Sequence, residues 1–553
     1  MNPPLKYYPL LFLMITLLNF GCRDKITYDI ILRNGTIVDG SGKEAFTGDL
    51  AISGDTIAEI GDLSRYTGVQ EFDIGGSVIA PGFINMLSWA NESLIEDGRS
   101  QGDIRQGVTL EVLGEGISMG PMNEIMKKEL KVEQQDILYD IQWTTLGEYL
   151  EFLENKGIST NIASFVGNGT LRQYVMGYET RSPSGEELDR MKALLTEAME
   201  EGAVGMSSSL IYVPSGHAKT EELIELAQVV AGYDGLYISH IRDEEDLLLT
   251  AIDELITVAR EAGVRSEIYH FKASGVDNWH LLDSAILMVD KARREGLQVT
   301  ADMYTYNASS TGLNIGLPGW ARAGGHEATM RFIANPETRA RMIRENKFHV
   351  TPDKILLVGF KNEDLRHLTG KTLAEVCEER RISPGEAVVD LIREDDSRIQ
   401  VVYFSMSEEN IAKKIALPWM SFCSDAGSYS NEGVFLKQST HPRAYGSFAR
   451  LLGRYVREEQ IISLEEAVRK LTSFPADNLK IRNRGLLRKG YYADVVVFDP
   501  ENIQDHATFN EPHQYATGMI HVWVNGEQVL KDGDHTGALP GRVVRGPGWN
   551  KNP

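Results

Sequence analysis

Eight short runs of β-branched or apolar residues, separated by amphipathic stretches, constrain the fold of this chain more than any other feature. They are Val78–Leu87, Val108–Gly114, Asn161–Val166, Ala203–Ser208, Leu236–His240, Glu267–Phe271, Gln298–Tyr304 and Trp419–Ser424. Between several of them, in Gly185–Glu201, Glu221–Ala231, Glu244–Ala262 and Leu281–Glu295, apolar residues recur three and four apart, with acids near the starts and bases near the ends. This alternation predicts an α/β fold, a TIM-like (β/α)8 barrel over residues 78–478. An open doubly wound sheet would not need eight strands in one series. The long gap between Tyr304 and Trp419 marks an insertion over 305–418, expected on the C-terminal face as a lid or substrate-capping subdomain.

The two ends have a different texture. Tyr28–Ile31, Thr36–Val38, Asp49–Ser53 and Thr56–Ile60 are strand-like and split by Asn34-Gly35 and Gly54-Asp55. Ala493–Phe498, Ile520–Asn525 and Gln528–Leu530 match them at the far end, with Asn525-Gly526 as a hairpin signal. Residues 26–77 and 479–553 are therefore expected to form one small β-sandwich domain built from both chain ends.

A barrel of this kind carries its reacting groups at the C-terminal ends of its strands. Four residues meet that condition on four different runs: Glu115, His240, His270 and Asp425. One carboxylate and two imidazoles can hold a divalent metal such as zinc and leave a position for water. Such a metal lowers the water's pKa and polarises a carbonyl, while a second carboxylate moves the proton. Lys+Arg 56 against Asp+Glu 79 leaves a net charge of −23, which argues against nucleic acid as a partner. Three cysteines, Cys22, Cys377 and Cys423, form neither a disulfide framework nor a zinc ribbon.

The chain resembles the D-aminoacylase (N-acyl-D-amino-acid deacylase) branch of the metal-dependent amidohydrolase superfamily. The resemblance is carried by Tyr28–Gly35, Ala80-Pro81-Gly82-Phe83-Ile84, Gly205–Tyr212, Ser239-His240-Ile241-Arg242-Asp243-Glu244, His441-Pro442-Arg443 and Gly490–Pro500. It implies hydrolysis of the amide of a small N-acylated D-amino acid. His240 and His270 would take the strand-five and strand-six ligand places, and Asp425 that of the strand-eight catalytic carboxylate. Lys272 stands where the family has a basic residue for the substrate carboxylate, with Tyr304 or Tyr306 and Arg242 as further candidates.

The departures are as informative. The superfamily usually carries His-x-His after Pro-Gly-Phe-Ile-Asp, whereas this chain reads Pro81-Gly82-Phe83-Ile84-Asn85-Met86-Leu87-Ser88-Trp89. No register shift restores the pair, because the first of the twelve histidines is His217. Where the branch commonly places a cysteine on strand two, this chain offers Glu115, a harder oxygen ligand. The expectation is one zinc ion held by Glu115, His240 and His270, with Asp425 as general base and acid. Two alternatives stay open: hydrolysis of a cyclic amide of the dihydroorotase or hydantoin type, and an impaired barrel that only binds an acylated ligand.

The N-terminus supplies a location. Lys6, the apolar run Pro9–Leu18 and Gly21-Cys22 describe an export signal over residues 1–21. Its ending resembles a bacterial lipoprotein signal, which implies lipid on Cys22 and an exported protein, periplasmic or anchored to the membrane through that lipid.

Overall fold

The computed structural model describes Pro4 and residues 27–549, so the expected signal and Cys22 lie outside the described residues. Among the described residues no helix is long and apolar enough to cross a membrane.

The barrel is present, with strands at Phe83–Asn85, Val108–Leu113, Asn161–Ser164, Gly205–Ser209, Leu236–His240, Arg265–Ile268, Val299–Met303 and Met420–Phe422. Neighbours pair in parallel. The third strand breaks at Phe165 and resumes as Val166–Gly167, which pairs with the fourth. Closure between strands eight and one runs through Met86 N–H to the Phe422 carbonyl and Asp425 N–H to that of Leu87, at 3.2 and 2.9 Å. Side chains alternate across each strand. Ile84, Leu110, Val112, Ala163, Leu236 and Ile238 fill the barrel, while Leu113, Ile162, Tyr237, Ile268 and Phe422 face the helices.

Three of the four anticipated helices match within about a turn, at Gly185–Glu200, Thr220–Gly232 and Leu281–Arg294. The other begins at Leu248 rather than Glu244. Asp243 accepts from the backbone N–H groups of Glu245 and Leu247, which holds a turn open before the helix and leaves Glu244 free to point into the barrel mouth.

Both chain ends build one branched nine-stranded sheet. Its core is Ile30, Leu32, Ile37, Leu50, Ile52, Val495, Val497 and Trp523. Two expected boundaries move. Val78–Pro81 pairs with Thr27–Ile37 and with Val495–Phe498, so the first run is divided and only Phe83–Asn85 belongs to the barrel. The C-terminal tail leaves the sheet and returns to the barrel, where Pro540 and Val543 bridge to Ile158 and Ile162.

The insertion has its own antiparallel sheet of Ser309–Gly312, Gln400–Tyr403 and Ile355–Gly359 and its own apolar core. It roofs the barrel mouth with Ser310, Arg322, Phe348 and Tyr403. Within it, the Trp320 indole donates to Glu345 at 2.8 Å and the ring packs on Phe332.

A buried polar knot joins the sheet to the barrel. Asp494 accepts from Arg484, from the Asn525 backbone at 2.9 Å and from Asn161 on the third strand at 3.3 Å. Asn525 Nδ2 donates back to Asn161 at 2.8 Å. Removing one partner strands a buried charge, so Asp494→Ala should lower the unfolding free energy by about 3–5 kcal/mol in urea denaturation. A change below about 1 kcal/mol would show that the knot does not hold the two parts together.

Candidate metal centre

Glu115, His240 and His270 converge. The Glu115 Oε1 atom lies 3.0 Å from His240 Nδ1 and 3.0 Å from His270 Nε2, and all three residues are at most 5% exposed. One ligand atom from each falls within 4.8 Å of the others. The two rings stand nearly perpendicular, with centroids 4.5 Å apart.

Electrostatics favour a positive guest. Burial opposes ionisation of Glu115, yet the two imidazoles hold its carboxyl below the usual range. Burial and Lys272 oppose protonation of His270, but Glu244, Asp425 and Glu115 outweigh them and push it up to about 10. A pocket that stabilises a proton there also stabilises a metal cation. Zinc accepts these nitrogen and oxygen donors at about 2 Å, which places its ligand atoms roughly 3–3.5 Å apart. The donor set therefore fits one such ion, for which Glu115, His240 and His270 would be the ligands.

Backbone strain marks the same place. His270 has φ 33° and Asp425 φ 50°, and neither is glycine. Such conformations cost about 1–3 kcal/mol each and persist where surroundings over-determine them. Asp302, on strand seven, accepts the His270 N–H at 2.7 Å and fixes that turn.

Asp425 is held from two sides. The Trp89 indole N–H donates to its Oδ1 at 3.2 Å, and Arg443 Nη1 lies 2.6 Å from its Oδ2. Burial pushes its carboxyl above the usual range, against the pull of Arg443 and His270. Trp89 and the buried Leu87 occupy the positions that the His-x-His spacing would give to histidine. The vacated strand-one position thus supplies a hydrogen-bond donor to the carboxylate in place of metal ligands.

The other expected residues divide. Lys272 reaches the centre, but its ammonium lies 2.6 Å from Glu244 and 2.7 Å from His270 Nδ1. Tyr304 lines the cavity beneath the Arg443 guanidinium, 4.5 Å from ring to cation. Tyr306 turns away and donates to Asp505 at 3.0 Å. Arg242 spends its fork on Glu254 at 2.8 Å and on the Gly216 and Ala218 carbonyls at 2.9 Å. That commitment makes Arg242 a brace for the loop, and it also lines the cavity.

Four contributors went unassigned from sequence. Glu244 lies four residues after His240 and touches Lys272 and His270 Nδ1, the latter at 3.0 Å. Arg443 sits in the His-Pro-Arg segment, where only the segment itself was a signal, and its Nε finds no hydrogen-bond partner among the described residues. Nothing local distinguished Trp89 or Asp302.

Residues 439–530 match a family model described as "Amidohydrolase family". A D-aminoacylase of Alcaligenes xylosoxydans xylosoxydans is 31% identical, over 94% of this chain and 98% of its own length. The crystal structure of an N-acyl-D-glutamate deacylase from Bordetella bronchiseptica, complexed with zinc and a phosphonate mimic of the tetrahedral intermediate, superposes with TM-score 0.77 at 30% identity, covering 94% of this chain and all of that one. A D-aminoacylase structure described in terms of a binuclear centre with one-metal activation and second-metal attenuation gives TM-score 0.78 at 30% identity, with the same coverage.

Proposed function

This chain belongs to the D-aminoacylase family of amidohydrolases, and we propose that it hydrolyses the amide of N-acyl-D-amino acids at a single-metal centre. The observation that carries this reading is the meeting of Glu115, His240 and His270 on one point, in a cavity that also holds Asp425 and Arg443. Glu115, His240 and His270 would hold one zinc ion, which when bound supplies Lewis acidity that activates water and polarises the substrate carbonyl.

The remaining roles belong to this chain's own side chains. Asp425, with its carboxyl raised by burial, takes a proton from the attacking water and returns it to the leaving nitrogen. Trp89 fixes the orientation of that carboxylate. Arg443, which lines the cavity beside Asp425, receives the substrate carboxylate alongside Tyr304 and Lys272. Glu244 restrains Lys272 and His270 together. The lipoprotein-like ending of residues 1–21 supports a place for this activity at the bacterial envelope.

Zinc-loaded protein, assayed against N-acetyl-D-amino acids, their L forms and cyclic amides, should turn over the D series at least about 100-fold faster than either other class. A cyclic amide as the preferred substrate would overturn the reading. In Asp425→Asn, kcat should fall by about 10²–10⁴ while zinc remains bound. Undiminished kcat would remove Asp425 from the proton path. Trp89→Phe deletes a donor to the ionised carboxylate, so the acid limb of the pH–rate profile should move upward by roughly one unit. An unmoved limb would show that the indole does not act on Asp425.

A further inference from the structure

The cavity over the centre measures about 1260 Å³, above the usual range of roughly 300–1,000 Å³ for small-molecule sites. Its two sides differ in chemistry. Because the strands run around the barrel in chain order, the ends of strands six to eight face those of strands two to four across the mouth. The first arc carries Lys272, Tyr304, Asp425 and Arg443. The second begins at Glu115 itself and continues through Ile117, Met119 and Met122 to Met126 on the helix Glu124–Glu133.

Met119, Met122 and Met126 are buried and back this wall from the core, whereas its open face is carried by other residues. Ile117 is 42% exposed and Val132, farther along the same wall, is 72% exposed, yet both line the cavity. Apolar surface left open beside a reacting centre marks a binding surface, and methionine adapts its shape to flexible chains. The wall ends in acids, at Glu129, Glu133 and Asp136, so its apolar reach is finite.

An amide places its two substituents on opposite sides of the reacting carbonyl. With the amino-acid carboxylate beside Arg443, as proposed above, the acyl substituent must leave toward Ile117 and the methionines. We propose that this wall is an acyl subsite selecting a medium-chain apolar acyl group such as octanoyl over acetyl. The proposal rests on the deacylase reading given above. Hydrolysis then adds water across the C–N bond and releases a medium-chain carboxylate and a free D-amino acid.

Two measurements on the zinc-loaded full chain test it. Calorimetric titration should show octanoate binding at least about tenfold more tightly than acetate, and kcat/KM should favour N-octanoyl over N-acetyl on the same D-amino acid by a similar factor. Ile117→Asp, at a position exposed enough to accept the change, should bring both ratios down at least about fivefold. Octanoate and acetate binding alike would overturn the subsite, whatever turnover shows. If no acylated amino acid is hydrolysed while octanoate keeps an advantage that Ile117→Asp removes, the subsite stands and the deacylase reading falls. Ratios unchanged in Ile117→Asp and in Met122→Glu would also overturn it.

Discussion

One carboxylate oxygen shared between two imidazoles organises this molecule's mouth. Glu115 Oε1 sits 3.0 Å from a ring nitrogen of His240 and of His270, and these three side chains come from strands two, five and six. Only a closed barrel brings those ends together. The strain at His270, the buried Asp302 beneath it and the turn that frees Glu244 all serve to keep that meeting point in place. Burying so many acids and bases is costly in isolation, and they are tolerated because each is paired within the cluster.

The strand-one side of the barrel has closed over the place that a second pair of ligands would take. Leu87 is fully buried and packs in the barrel interior. Ser88 donates to Glu111 at 2.6 Å, and Asn85 donates to Asp103 and Ser424 at 3.0 and 2.8 Å. Trp89 alone faces the cavity, and it addresses Asp425. The first strand has become a structural wall with one hydrogen-bond donor on it. This is consistent with a centre that works with one ion.

Much of this was legible in the chain because it depends on local pattern. Strand runs, helical periodicity and strand-end Glu, His and Asp are short-range signals, and they located the barrel and the residues that converge. What was hidden depends on contacts between distant segments. Asp425 and Trp89 are separated by more than three hundred residues, and no spacing rule joins an indole to a carboxylate across that distance. The fate of Arg242 was equally unreadable, since its partner Glu254 lies on a helix whose start was displaced by the Asp243 turn. Val78–Pro81 misled for a simpler reason: a continuous apolar run gives no mark where a chain passes from one sheet to another.

Glu115, His240 and His270 are proposed to form a complete site for one metal, with no second such cluster among the described residues. Equilibrium dialysis of the purified protein against zinc, followed by elemental analysis, tests this directly. About one tightly held ion per chain is expected, lost in Glu115→Ala. Two ions per chain of similar affinity, or one ion that survives Glu115→Ala unchanged, would contradict it.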